Sequence, residues 1–365
     1  MCRVAACIVA LVLLAPSGEA QARLQGSPHC AVPPAPLRLV RFSPDGQYVL
    51  AQDDSVVSVL SVQPLAVLFQ APAAHAGSAQ FTPDSQQVVF VSSTSRANSQ
   101  RIALASSPAR VERWSIVAHT RIASTEVRPP PCDTEGLSPD GLVLACVDFG
   151  GRLRLVDVSS GEPILEVKGF GKQVFSYEDS SNPLAGWTYW GDPGSAIIGF
   201  SPDGRFLIAV PDNAEGSPIA FDLRERLPVK LIGGMRKARP GFAFVSPREV
   251  MIVELLVGPP TATATLVAFP SGKILLKPKI PAGGRLSRAT DPGFVLVHPF
   301  GLNAYHDPEA KRTAAVEFKT GQVIVSETPA LDVLGNHYVT QLANGDVGLY
   351  ERGKGLQATV KLPGP

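Results

Sequence analysis

The chain has 365 residues, of which 45% are hydrophobic and 18% are charged, and its formal net charge is +1. This composition excludes an intrinsically disordered chain, and the scattered Lys and Arg residues argue against nucleic acid or an anionic membrane surface as a partner. Glycine and proline, with 33 and 34 residues, favour strands and turns over helix interiors.

The N-terminal residues 1–22 predict an export signal. Arg3 provides a short basic start, an apolar run extends from Val4 to Ala15, and a Pro-x-Gly break precedes the small residues that end at Ala22. These are the three regions of a secretory signal peptide, and an apolar run of about 12 residues is too short for a transmembrane anchor. We therefore expect cleavage near Ala22 and a secreted or periplasmic mature chain of residues 23–365; an N-terminal core helix is the alternative.

A turn signature then recurs along the mature chain. It consists of an aromatic residue or Leu, then Ser or Thr, Pro, Asp, and Gly or Ser, followed by an apolar run. The strong copies are RFSPDGQYVLAQDD at 41, QFTPDSQQVVFVSS at 80, GLSPDGLVLACVDF at 136 and GFSPDGRFLIAV at 199. Proline presets the first central position of a tight turn, aspartate bonds back to the turn backbone, and glycine tolerates positive φ. Each copy therefore predicts a β-hairpin.

Weaker copies continue the series to the C-terminus. They are FVSPREVMIVEL at 244, RATDPGFVLVHP at 288 and VLGNHYVTQLANGDVGLYE at 333. A second hairpin signature follows most copies, as in LRLVDVSSGEPILEV from residue 153, where an apolar strand enters a Ser-Ser-Gly turn and restarts. Two hairpins make four strands, and the repeat spacing of 39 to 63 residues fits propeller blades with insertions.

The repeats predict a single β-propeller domain over residues 23–365. Its blades are expected to start near residues 37, 78, 133, 196, 241, 285 and 330, with insertions at 92–110 and 170–197. A pair of β-sandwiches would need a linker near the middle, and a β-helix would need a shorter and stricter repeat. Ring closure should bring residues 30–42 against the last blade, whose outer strand could come from either end of the chain.

The segment LRLVDVSSGEPILEVKG resembles the third and fourth strands of a WD40 blade, with Val156-Asp157 where that family has Trp-Asp. With the FSPDGR-type turns, the mature chain resembles the divergent secreted WD40-like and TolB-like propellers. The resemblance implies an all-β fold, a seven-bladed β-propeller of four-stranded antiparallel blades. Because no repeat carries Trp-Asp or an initial Gly-His pair, the Asp-His hydrogen-bond network of true WD40 blades is not expected.

Three cysteines, Cys30, Cys132 and Cys146, remain after signal cleavage, in an oxidising compartment. Cys132 and Cys146 flank the turn at Ser138–Gly141 almost symmetrically, which places them nearly opposite each other on neighbouring strands. A disulfide between them is geometrically feasible. Pairing of Cys30 with Cys132 and buried free thiols are the alternatives.

The sequence offers little catalytic or metal-binding chemistry. The six histidines are scattered, and the chain has no G-x-S-x-G, H-E-x-x-H or C-x-x-C motif. One loose group, His298, His306 and Asp307, is interpreted as a solvated loop rather than a metal site. Other acids are interpreted as turn and loop residues rather than calcium ligands; they are Asp53, Asp54, Asp179 and Asp192. We therefore expect no cofactor and no metal.

The second insertion is rich in aromatic residues, although the whole chain is only 7% aromatic. Its rings include the binding candidates Tyr177, Trp187, Tyr189 and Trp190. Tyr and Trp recur at binding hot spots because they offer large, stiff surfaces with a polar tip. The alternative is that these rings fold the insertion onto the propeller.

The sequence thus predicts a non-enzymatic scaffold that binds a protein or a small extracellular ligand. A propeller-type hydrolase or lyase would need inward-facing acids that the pattern does not locate. A structural subunit of an envelope complex is the third possibility.

Overall fold

Every regular element in the described part of the chain is a β-strand. The computed structural model describes residues 37–53, 55–73, 78–93, 109–127, 132–148, 152–167, 196–211, 219–230, 240–254, 261–281, 285–298, 313–325 and 331–363. The chain from Pro34 onward forms one compact unit. None of the described segments is a helix long and apolar enough to cross a membrane.

The strands form seven antiparallel sheets, each built from consecutive strands. The first four blades are β1 (Leu39–Phe42), β2 (Tyr48–Gln52), β3 (Val56–Val62), β4 (Leu65–Pro72); β5 (Ala79–Phe81), β6 (Gln87–Ser93), β7 (Ala109–Ser115), β8 (Thr120–Val127); β9 (Cys132–Leu137), β10 (Val143–Asp148), β11 (Leu153–Asp157), β12 (Pro163–Val167); and β13 (Ala196–Phe200), β14 (Phe206–Pro211), β15 (Ile219–Asp222), β16 (Leu227–Val229).

The last three blades follow the same order. They are β17 (Pro240–Ser246), β18 (Glu249–Glu254), β19 (Thr261–Ala268), β20 (Lys273–Leu276) with β21 (Lys279–Pro281); β22 (Arg285–Arg288), β23 (Phe294–His298), β24 (Ala314–Glu317), β25 (Val323–Val325); and β26 (Leu331–Leu334), β27 (His337–Gln341), β28 (Val347–Glu351), β29 (Gly355–Val360). In the fifth blade β20 and β21 pair with successive parts of β19, so they form one interrupted outer strand. The predicted seven-bladed β-propeller is confirmed.

The Ser-Pro-Asp-Gly turns join the first and second strands of a blade, and their geometry explains their recurrence. In the first blade the Ser43 hydroxyl donates to Asp45 Oδ1 at 2.5 Å and accepts the Tyr48 N–H at 2.9 Å. Gly46 has φ +74°, a left-handed conformation that glycine adopts without steric cost. The second blade has Ser85 at that position, with φ 57°, and its hydroxyl accepts the Asp45 N–H of the first blade.

The turns between the third and fourth strands use an aspartate differently. Asp157 Oδ1 accepts the N–H groups of Ser159 and Ser160 at 2.8 and 3.0 Å, which fixes the turn that Gly161 completes with φ 75°. The Ser159 hydroxyl, with the Ser160 N–H, lowers the pKa of Asp157. Asp157 therefore caps its own turn, and its hydrogen bonds in the described structure are local ones.

The hydrophobic core lies between blades. The residue that precedes the first turn packs against the preceding blade: Phe42 joins a cluster with Val339 and Val347 of the seventh blade, and Phe81 joins one with Leu50 of the first. Both rings are at most 5% exposed. Because each blade buries its apolar face only against a neighbour, the sheets are stable as a complete ring rather than singly.

Among the described strands, the ring closes without exchange of a strand between its ends. All four strands of the seventh blade come from the C-terminal segment, and β29 fills the outer position that the sequence left open. The closure is apolar on the outside, where Leu362 and Val360 pack with Val67 of the first blade. Just before β1, the Leu37 N–H donates to Oε1 of Gln341, the last residue of β27, at 2.9 Å.

Two inner-strand glycines allow adjacent blades to approach closely. A Cβ atom added at Gly199 would lie 2.7 Å from Cε2 of Phe242 in the next blade, a distance that real contacts do not reach. At Gly136 the added Cβ would lie 3.1 Å from Cγ2 of Ile198. Glycine is therefore required at residue 199 by packing rather than by backbone conformation.

We expect Gly199→Ala to lower the free energy of unfolding by about 1–3 kcal/mol, because overpacking forces Phe242 out of its position. The measurement is urea-induced unfolding. Gly136→Ala is the matched control, since its neighbour must move less, and it should be milder. A loss for Gly136→Ala equal to or larger than that for Gly199→Ala would contradict this account of the packing.

Candidate functional site

The predicted binding residues Tyr177, Trp187, Tyr189 and Trp190 lie outside the described residues, so their binding role stays a prediction. The strands that flank them are described: β12 ends at Val167 and β13 begins at Ala196. The insertion therefore connects the outer strand of the third blade to the inner strand of the fourth.

Antiparallel order assigns every connection to one of two faces of the ring. Turns between first and second strands, and between third and fourth strands, lie on one face, which we call the turn face. Connections between second and third strands, and from blade to blade, leave from the opposite face, the loop face. The turn-face connections are short, whereas the long connections at 94–108, 168–195 and 299–312 all begin and end on the loop face.

A polar cluster lies where the sixth, seventh and first blades meet at the ring axis, on the turn-face side. At its centre is Asp332 of β26, which is 1% exposed. Its Oδ2 accepts the Phe42 N–H of the first blade at 2.8 Å and the Thr290 hydroxyl of the sixth blade at 2.6 Å. Its Oδ1 accepts the Thr290 N–H at 2.8 Å. One carboxylate thus joins three blades, and we call Asp332, Thr290, Arg41 and Arg288 the closure cluster.

A second bridge supports the junction of the sixth and seventh blades. The Asp291 N–H donates to the Val333 carbonyl at 2.9 Å, and the Gly335 N–H donates to Asp291 Oδ2 at 2.8 Å. The turn of the sixth blade is therefore fixed to the seventh blade at Asp332 and, beyond it, at Val333 and Gly335.

Charge in the closure cluster is unevenly compensated. Burial raises the pKa of the Asp332 carboxyl, and the positive charge of Arg41 opposes that rise. Burial, and then the charge of Arg41, lower the pKa of Arg288 to about 10. Arg288 and Asp332 are therefore both desolvated, and the charge of Arg41 acts on each of them.

The closure cluster is not among the sites predicted from the sequence, although one sequence signal was present. Strand register pairs Arg288 with Val295 just as it pairs Phe42 with Val49 and Phe200 with Leu207. Arg288 therefore occupies the position at which the strong repeats have Phe or Leu. A charged residue at a repeat position that is otherwise apolar indicates that this position does more than fill the hydrophobic core.

Cys146 is buried and disulfide-bonded. The two cysteines predicted to pair are not directly opposite each other in the strand register. Cys146 pairs with Glu135, and Cys132 pairs with Asp148 beyond a bulge. Residue 132 thus lies diagonal to Cys146 on the adjacent strand. Pairing of Cys146 with Cys132 stays a prediction.

The remaining candidates add no site in the described structure. Asp53 Oδ1 accepts the N–H groups of Ser55 and Val56, both at 2.7 Å, so Asp53 is a turn residue as expected. His298 ends β23. The other members of these sets lie outside the described residues; they are Asp54, Asp179, Asp192, His306 and Asp307. Among the residues that the structure describes, no three His, Cys, Asp or Glu side chains are grouped to hold a metal ion.

Comparison with known proteins identifies the architecture. No family model matches the chain, and no curated protein matches it. Among solved structures, hydrazine synthase from Kuenenia stuttgartiensis aligns with 91% of this chain and 99% of its own, with a TM-score of 0.55 and 12% sequence identity. Because 1487 solved chains match, the likeness reflects a widely shared fold and shows no activity.

We expect Asp332→Ala to lower the free energy of unfolding by about 2–5 kcal/mol, because the buried N–H groups of Phe42 and Thr290 lose their acceptors. Urea-induced unfolding followed by tryptophan fluorescence measures this loss. Thr290→Val, which removes one hydroxyl and leaves both N–H bonds, should cost about 1 kcal/mol. Wild-type stability in Asp332→Ala would show that the carboxylate does not hold the ring closed.

We expect the disulfide of Cys146 to join Cys132 and to stabilise the oxidised protein by roughly 3 kcal/mol in the chain-entropy model. Cys132→Ser, Cys146→Ser and the double variant should then show the same drop in melting temperature, while Cys30→Ser leaves it unchanged. Peptide mapping under non-reducing conditions identifies the bond directly. A linked peptide containing Cys30 would assign the bond to the rival pairing.

Proposed function

We propose that this chain is an exported, non-enzymatic β-propeller that serves as a scaffold for binding a protein or a small extracellular ligand on its loop face. The observation that carries the proposal is the separation of connections between the two faces. The short turns occupy one face, and every long connection starts and ends at strand termini of the other. Loops held by a rigid scaffold are where binding residues concentrate.

The aromatic residues of the 170–197 insertion also favour binding on the loop face. Tyr177, Trp187, Tyr189 and Trp190 lie between Val167 and Ala196, two strand ends of the loop face. In the string from Gly186 to Gly191, Trp187 and Tyr189 are two residues apart and Trp190 follows directly, so an extended backbone would direct rings to both sides, some to the propeller and others to a partner. A protein or a small ligand with an apolar face fits such rings best.

The use of acids in the described ring favours binding over catalysis. Asp332, at the ring axis, accepts three hydrogen bonds that join blades. The aspartates of the strong turns, such as Asp45 and Asp140, accept hydrogen bonds within their own turns. These carboxylates have structural partners, so we assign them no role as a general acid, base or nucleophile. The signal peptide predicted at residues 1–22 supports export to the periplasm or the exterior.

Within the propeller fold, we place the chain among divergent relatives of the secreted WD40-like and TolB-like proteins. Support comes from the Ser-Pro-Asp-Gly turns, which share one hydrogen-bond pattern in the first, third and fourth blades. Asp157 occupies the WD40 aspartate position but caps its own turn. The turn chemistry is thus retained without the Trp-Asp signature.

Co-purification of the tagged full chain from the native cell envelope, followed by mass spectrometry, should identify the partner. Among Trp187→Ala, Tyr189→Ala and Trp190→Ala, we expect at least one variant to lose about 2 kcal/mol or more in partner affinity with a nearly unchanged melting temperature. Affinity is measured by titration calorimetry, and stability is measured by thermal unfolding.

Trp114→Ala is the matched control for these variants. The Trp114 ring stacks on that of Phe69 in the first blade, with 5.9 Å between ring centroids, and its Nε1–H donates to Glu112 Oε2 at 3.0 Å. Loss of this side chain should therefore lower stability and leave partner affinity unchanged. If all three insertion variants instead lose about 3–5 kcal/mol of stability, as truncated core aromatics do, the rings are core residues and the binding site is elsewhere.

A further inference from the structure

The outer strand of the fifth blade leaves apolar side chains exposed. β20 (Lys273–Leu276) is the last strand of its sheet, and no other described strand pairs with its outer side. Ile274, Leu275 and Leu276 are 54%, 44% and 39% exposed. We propose that β20 is a docking edge, to which an extended, acidic segment of a partner protein adds as a further strand.

The exposed side chains of β20 lie on both sides of the sheet. Ile274 pairs with Val267, which packs in a cluster with residues of the fourth blade. Leu276 pairs with Leu266, which packs in a cluster with residues of the sixth. Directly paired residues share a side of the sheet, yet neither β20 side chain belongs to these clusters. The blades that bury the third strand of the fifth blade therefore do not cover its outer strand.

Outer strands of other blades are covered by a neighbour. Val67 of β4 packs with residues of the seventh blade, and Ile164 of β12 packs with residues of the fourth. An uncovered apolar edge strand is a site of unwanted association, which natural proteins normally avoid. Retention of three consecutive exposed apolar residues on β20 thus favours a partner that covers them.

The backbone of an edge strand supplies the other half of the recognition. Its outward N–H and C=O groups have no strand partner, and an extended peptide can pair with them. In this mode the main-chain hydrogen bonds provide affinity, and the alternating side chains provide specificity. Apolar residues on both sides of β20 suit a segment whose side chains are apolar on both sides as well.

Charge determines which kind of segment fits. Lys273 and Lys277 flank the three apolar residues, are exposed, and form no ion pair in the described part of the chain. The sequence has no Asp or Glu between Glu254 and Asp291. Glu249 stands in the same cross-strand row as Lys273, but two strands farther in. The edge is therefore basic, and acidic residues that flank an apolar core would complement it.

The same lysines disfavour a second copy of this chain as the occupant. A two-fold dimer would pair two β20 strands antiparallel. The register that places Leu275 opposite Leu275 also places Lys273 opposite Lys277, at both ends of the pair. Like charges directly opposite each other are destabilising. Lysine on an edge strand thus prevents self-association and leaves the edge open to an acidic strand.

This docking edge is independent of the proposed function, because it lies on the outer rim of the fifth blade rather than among the connections of the loop face. Loss of binding at β20 would leave partner binding by the aromatic insertion intact. Conversely, a failure of Trp187, Tyr189 and Trp190 to bind a partner would not change β20.

The probe is the labelled peptide Glu-Glu-Val-Thr-Val-Thr-Val-Glu-Glu with blocked ends, and fluorescence anisotropy measures its binding to the purified full chain. We expect saturable binding that weakens between about 0.05 and 0.5 M NaCl, because salt screens exposed charges. The double variant Lys273→Glu/Lys277→Glu should bind this peptide roughly 10-fold or more weakly, because like charges then face each other. It should instead bind the peptide in which Lys replaces each Glu.

Three controls separate strand addition from charge and from folding. Lys319→Glu/Lys361→Glu makes the same charge change at exposed residues of the sixth and seventh blades and should bind as the wild type does. The acidic peptide with Pro-Pro-Pro at its centre should not bind, because proline has no N–H for the ladder. Ile274→Thr/Leu276→Thr should weaken peptide binding with a nearly unchanged melting temperature, whereas Val323→Thr, on the outer strand of the sixth blade, should weaken nothing.

Several results would overturn the proposal. They are equal binding of the acidic peptide by wild type and Lys273→Glu/Lys277→Glu, no binding by wild type up to about 1 mM peptide, and undiminished binding of the proline peptide. Self-association of the wild type in sedimentation velocity that Ile274→Thr/Leu276→Thr abolishes would assign the edge to a second copy. Sedimentation with phosphatidylserine vesicles, lost in the lysine variant and without peptide binding, would assign it to a membrane surface. A marked loss of stability in Ile274→Thr/Leu276→Thr would assign these side chains to the fold.

Discussion

The structure depends on the hydrogen bonds that Asp332 makes between blades. A propeller has no independent core within a blade, because each sheet buries its apolar faces against the two sheets beside it. The first and last blades, the two ends of the chain, must therefore meet. Asp332 joins the seventh blade to the sixth through Thr290 and to the first through Phe42. These contacts, with the apolar packing of the outer strands, close the ring.

Ring closure also explains how polar groups are distributed. Backbone N–H groups at the junction of the first and seventh blades need acceptors, and Asp332 and Gln341 supply them. In the turns, Ser and Asp side chains replace missing backbone partners and let successive turns touch, as Ser85 and Asp45 do. Polar residues on the turn face are thus largely occupied by the fold. The loop face carries the long connections.

The repeats made the architecture predictable because each turn is determined by local chemistry. Pro44 presets φ, Asp45 accepts hydrogen bonds from its own turn, and Gly46 adopts positive φ, all within four residues. Such features need no tertiary partner, so they are legible in a single sequence. The same applies to Asp157 and Gly161 in the second hairpin. From these local signals the number of strands, their order and the number of blades follow.

The sequence alone thus determined the fold class, the seven blades and the turn chemistry of this protein. Tertiary structure decided which segment completes the last blade, which glycine admits a neighbouring ring, and where Asp332, Thr290 and Phe42 meet. Residues 42 and 332 lie far apart in the chain, and their proximity depends on the accumulated rotation of all intervening blades. Local conformational preferences of the residues do not encode that rotation. The closed ring fixes it, because the buried hydrogen-bond donors and the apolar faces find partners only when the first and last blades are in register.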